Sequence, residues 1–112
     1  MSESMPAGRL ADVPRTVWTG RLDFDLKNER GWRVAAVEVI TRIESVTVWS
    51  GSRTLAVMDR ELFREWLIHP RQPLEVDDVT WSVQGCDMCI TMDGSASYVV
   101  PADTARQLVA VI

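Results

Sequence analysis

Hydrophobic and polar positions alternate through much of this chain. Over residues 17–26, Trp18, Leu22, Phe24 and Leu26 fall on one side, and Thr19, Arg21, Asp23 and Asp25 on the other. A period of two is the signature of a half-buried strand. Lys27-Asn28-Glu29-Arg30-Gly31 has turn composition. Residues 32–43 follow as a second strand, rich in β-branched side chains at Val34, Val37, Val39, Ile40 and Ile43. Its apolar residues fall on both faces, which predicts a strand covered on two sides, by the core and by a second subunit. Residues 45–58 then read as a hairpin around Gly51-Ser52, a Gly-first pair suited to a two-residue type II′ turn. Pairing Ser50 with Arg53 sets Val48 opposite Leu55 and Val46 opposite Val57 on one face. Thr47, Trp49, Thr54 and Ala56 share the other.

Asp59 has the chemistry of an N-cap for a helix over residues 60–68, striped with Leu62, Phe63, Trp66 and Leu67 and stopped by His69-Pro70. The plan then repeats. After a short strand at 74–76, residues 79–84 and 87–92 flank Gly85-Cys86. The register Val83 to Met88 and Trp81 to Ile90 gathers Val79, Trp81, Val83, Met88, Ile90 and Met92 on one face. A loop through Asp93-Gly94 leads into 96–100, with Tyr98 on the same face. Pro101 takes the first position of a last helix, whose buried side is Ala105, Leu108, Val109 and Ile112. The predicted fold class is α+β: two repeats of four antiparallel strands plus one helix in a single domain over residues 15–112, behind a flexible tail at 1–14.

At 112 residues, with 46% hydrophobic and 25% charged side chains, the chain has the balance of an ordinary globular domain. The N-terminal stretch mixes Ser, Glu, Pro, Gly, Arg and Asp, so it lacks the apolar run of a signal peptide. The longest charge-free segment, 94–102, is far short of the roughly 20 residues that span a bilayer. No membrane pass is expected, and a cytoplasmic location is. The net charge is −4, and it is uneven: eight basic against seven acidic residues up to 58, four against nine after it. That sign disfavours a nucleic-acid binder, whose affinity comes largely from neutralising phosphates.

Cys86-Asp87-Met88-Cys89 has a chelate-like spacing. Yet the register places Cys86 in a turn and Cys89 on the polar face of a strand, away from the helix start that activates a redox thiol. A structural zinc needs four ligands, and beyond the two thiols only His69 is of the usual kind. Two reduced cysteines are expected, with no metal and no cofactor. His69 has the position of a helix C-cap. Asp23 with Asp25, and Asp77 with Asp78, read as solvated charge rather than an acid/base pair. No nucleophile elbow, P-loop or Gly-x-Gly-x-x-Gly occurs, so the expectation is a non-enzyme. Of five tryptophans, Trp18, Trp66 and Trp81 are placed in the core. Trp49, sharing a face with threonines near Arg53, has the make-up of a binding hot spot.

One resemblance adds to this. Val57-Met58-Asp59-Arg60-Glu61-Leu62, a helix ending near Pro70, then Asp78-Val79-Thr80-Trp81, Cys89-Ile90-Thr91-Met92 and Pro101-Ala102 resemble the SsgA-like proteins of actinomycetes over about residues 45–110. Trp66 stands where that family usually has a small residue. The resemblance implies a fold similar to the plant Whirly proteins. It also implies an oligomeric, non-enzymatic regulator of cell division or sporulation that works through protein contacts, with no catalytic or cofactor residue carried over. The expected partners are therefore another protein and a second copy of the chain. The alternative is a Whirly-like binder of single-stranded nucleic acid, with Trp32 and Trp49 stacking bases and Arg33 and Arg53 meeting phosphates. A further alternative is a small-molecule or thiol role at Cys86 and Cys89.

Overall fold

A computed structural model describes residues 17–94 and 96–112, so the expected tail at 1–14 lies outside the described residues. The first half forms β1 (Gly20–Lys27), β2 (Arg33–Thr41), β3 (Ser45–Ser50), β4 (Arg53–Asp59) and α1 (Arg60–Ile68). The second half forms β5 (Leu74–Val76), β6 (Val79–Gln84), β7 (Asp87–Met92), β8 (Ser97–Val99) and α2 (Ala102–Val111). Each half makes a four-stranded antiparallel meander in sequence order, β1-β2-β3-β4 and β5-β6-β7-β8. The α+β class and the twofold use of four strands and a helix are as the alternation predicts. Among the described residues no helix is long and apolar enough to cross a membrane.

One continuous cluster joins both sheets and both helices. Phe24, Leu26, Val37, Val39, Val46 and Val48 come from the first sheet, and Val79, Trp81 and Ile90 from the second. Phe63 on α1 is fully buried, and its ring centroid lies 4.9 Å from that of Trp81, so the first helix is fastened to the second sheet by an aromatic pair. The second hairpin has the predicted register, Val83 with Met88, Trp81 with Ile90 and Val79 with Met92, and Tyr98 faces Ile90.

The first hairpin departs from expectation by one residue. Ser50 pairs with Arg53 and Trp49 with Thr54, but a bulge then sets Val48 opposite Ala56 and Val46 opposite Met58. The unbulged ladder would turn Met58 outward and Val57 inward. The bulge instead buries Leu55, Ala56 and Met58 together and leaves only Val57 in solvent, 52% exposed. Core burial outweighs a regular ladder here. The freed backbone is met from the second half, where the Asp78 N–H donates to Leu55 O at 3.1 Å and the Asp77 carboxylate accepts from the Val57 N–H at 3.1 Å.

Within the single chain β2 buries Val37, Val39 and Thr41 on its core face, while Val34 and Ile43 are exposed and Ile40 is half-buried. Other differences are smaller. Cys89 is 3% exposed rather than solvated, because its small side chain lies on an inner strand between Ser82 and Val99. Leu62 is exposed, leaving Phe63 and Trp66 as the buried stripe of α1. Pro101 is the N-cap of α2 rather than its first helical residue. The buried side of α2 centres on Thr104 and Leu108, one turn apart, which rotates Val109 onto the flank.

Asp59 caps α1 as predicted, accepting from the N–H groups of Glu61 and Leu62 at 2.7 and 3.4 Å. Arg60 follows it and is only 6% exposed. Its guanidinium donates to Trp18 O at 2.6 Å, Arg42 O at 2.7 Å and Val111 O at 2.5 Å. Three distant chain segments thus meet on one side chain. Replacing Arg60 by Met should lower stability by about 2–4 kcal/mol, since carbonyls that lose a donor in a closed site cost roughly 1–3 kcal/mol each and water recovers part of that. Urea unfolding measures it, and an unchanged midpoint would contradict the assignment.

Candidate partner-binding face

The outer face of the first sheet follows from the pairings. One row across it is Asp23, Glu38, Trp49 and Thr54; the next is Arg21, Ile40, Thr47 and Val57. Ile40, Trp49 and Val57 therefore form an apolar diagonal across the middle and the β4 side, and charge lies along β1 and at Glu38 on β2. Arg21 pairs with Asp23 at 3.1 Å and lies 3.9 Å from Glu38. Arg42 reaches over Thr47, donating to its hydroxyl at 3.4 Å. Trp49 at the centre is half-buried, and its indole N–H is shielded without a hydrogen-bond partner among the described residues. An apolar cluster flanked by charge has the make-up of a protein interface.

Trp32, just before β2, is 66% exposed. Its position is set by Asn28, whose side-chain oxygen accepts from the N–H groups of Arg30 at 2.9 Å and Trp32 at 3.1 Å. Gly31 supplies the positive φ of 81° that this tight turn needs. Arg33 follows, exposed, with Asp25 at 3.9 Å. Trp49 is opposite Glu38, six residues along β2 from Trp32, a separation of roughly 20 Å at about 3.3 Å per residue. The two rings are therefore too far apart to act on one small group.

Arg53 belongs to a different cluster. Its guanidinium grips both carboxylate oxygens of Asp93 at 2.7 and 2.8 Å and one of Asp78 at 2.9 Å. Hydrogen bonding and charge from Asp93, then Asp78, raise its pKa further above the ordinary arginine value. Its bidentate geometry ties the tip of the first hairpin to two turns of the second half. Those turns hold Asp77 and Asp93 at φ of 52° and 53°, in the left-handed region that aspartate tolerates better than most residues. Asp77 and Asp78, expected as solvated charge, both hold the first sheet. The available signal was their setting: an Asp-Asp pair and an Asp-Gly pair, each at a turn beside a strand.

The remaining candidates do not converge. His69 is the exposed C-cap of α1, its backbone N–H donating to Glu65 O at 3.0 Å. Cys86 is exposed in its turn and Cys89 is buried. Three residues of strand separate them by roughly 10 Å, beyond the roughly 7 Å Cα limit for a disulfide. Among the described residues no cluster of three or more His, Cys, Asp or Glu is arranged to hold a metal ion.

Burial, and the nearby Asp87 charge, push the Cys89 thiol above its usual pKa. Cys89 should therefore stay protonated and resist thiol reagents in the folded protein at pH 8, while exposed Cys86 is accessible to them. Ellman titration should give one fast thiol, and a second only on unfolding; two equal fast phases would refute this. Comparison with family models gives no match, and neither the curated proteins nor the solved structures give a significant one.

Proposed function

We propose that this protein is a non-enzymatic interaction module that meets a protein partner, and a second copy of itself, through the outer face of its first sheet. The observation that carries the reading is Trp49, half-buried on that face with Ile40 and Val57 on the neighbouring row and Glu38 directly opposite it. Tryptophan in such a setting is the residue most enriched among those that dominate interface energies. The sequence resemblance to SsgA-like proteins gives the reading a biological direction, a cell division or sporulation regulator acting through protein contacts in the cytoplasm.

A Whirly-like role with single-stranded nucleic acid is the second reading. Exposed Trp32 next to exposed Arg33 favours it. The net charge of −4 and the two carboxylates already on Arg53 weigh against it.

Light scattering and partner pull-down decide between them. Trp49→Ala should weaken association at least about tenfold, on the scale of a hot-spot truncation. Glu38→Arg, which spares the indole, should weaken it through charge alone. A monomeric wild type, together with full partner retention by both variants, would sink the proposal. Salt-sensitive retention of an oligonucleotide, lost in Trp32→Ala, would move the assignment to the second reading.

A further inference from the structure

Away from that sheet face, a trough of about 500 Å³ opens between α1, α2 and the tip of the β6–β7 hairpin. Its walls are Trp66 and Leu67 from α1, Val83 and Met88 from the hairpin, and Val109 from α2. Val109 and Val83 are 57% and 41% exposed, so the apolar wall is open to solvent. The volume lies in the range of about 300–1,000 Å³ typical of small-molecule sites, and the lining has their character, apolar with very few polar groups.

The one charged side chain on the lining is Arg106. It is also the only basic residue in the chain after Arg71, in a region that carries six carboxylates. None of the six lines the trough. Arg106 pairs with Asp103 one helical turn earlier, but both side chains are largely in solvent, and exposed pairs of this spacing hold weakly. A better-desolvated anion at the trough mouth can take the guanidinium from Asp103.

We infer that this trough binds an amphipathic carboxylate, with an unbranched alkyl chain lying along Trp66, Met88 and Val109 and its head group on Arg106. Arg106 supplies the one cation on the lining for the head group, and the apolar walls take the chain. The site shares no residue with the outer face of the first sheet, so this inference stands or falls independently of the proposed partner binding.

Calorimetric titration of the full chain with decanoate, 1-decanol and phosphatidylglycerol vesicles tests it. The expected result is saturable one-to-one binding of decanoate, at least about tenfold tighter than decanol, a preference of roughly the size of one charge-assisted contact. Arg106→Gln should erase the preference and keep the decanol affinity. Val109→Glu should weaken both ligands, and decanoate should slow alkylation of Cys86, which lies on the same lining. Equal affinity for acid and alcohol, no saturation, or binding untouched by both substitutions overturns the inference. So does retention on vesicles without decanoate binding, which would place the acyl chain in a membrane. A dimer abolished by Val109→Glu in a chain that ignores decanoate would make the trough a contact between copies, and likewise overturns it.

Discussion

The described structure turns on the guanidinium of Arg60. A cation at the start of a helix is opposed by the helix dipole, and withdrawing it from water adds a further cost. Both costs are met because Trp18, Arg42 and Val111 each offer a carbonyl at 2.5–2.7 Å. Those carbonyls come from the approach to β1, the end of β2 and the last turn of α2. The approach to β1 is shaped around the same point: the Trp18 ring lies over Gly20, where an added Cβ would come within 2.7 Å of it. Thr41 completes the joint, its hydroxyl accepting from the Gly20 N–H at 3.1 Å. One buried charge thereby orders the start of the first sheet, its central strand and the final helix.

A second joint holds the halves together from outside. Arg53 on Asp78 and Asp93, with the Asp77 carboxylate on the Val57 N–H, fastens the β4 side of the first sheet to turns that flank β6 and β7. The near-neutral first half and the acidic second half are thus complementary at this contact. Charge asymmetry along the chain acts here as an internal match and is not a measure of external partners alone.

The alternation of side chains made the architecture legible. Two hairpins with glycine-first turns, the Asp59 cap and the helix start at Pro101 are local features, set by residues within a few positions of each other, and each lies within one residue of where local chemistry puts it. The bulge in β4 was not legible, because Leu55-Ala56-Val57-Met58 is apolar throughout and any register buries part of it. Only the competition among those four for one core decides the outcome. Arg60 and the aspartate turns escaped for the related reason that their partners lie 18 or more residues away. Of the candidate site, Trp32 and Trp49 were visible as aromatics outside the apolar stripes. That Arg53 is committed to the second half, while Trp49 remains on the sheet face, follows from tertiary contacts with no counterpart in local pattern.

The carboxylate of Asp77 also bears on how copies of this chain can accumulate. A bare strand border invites another strand to add, and another after it, which is the route to fibres. Along β4 the Val57 amide is already occupied by Asp77 and the Leu55 carbonyl by Asp78, and the neighbouring β5 is only three residues long. Addition of strands along this border is therefore obstructed.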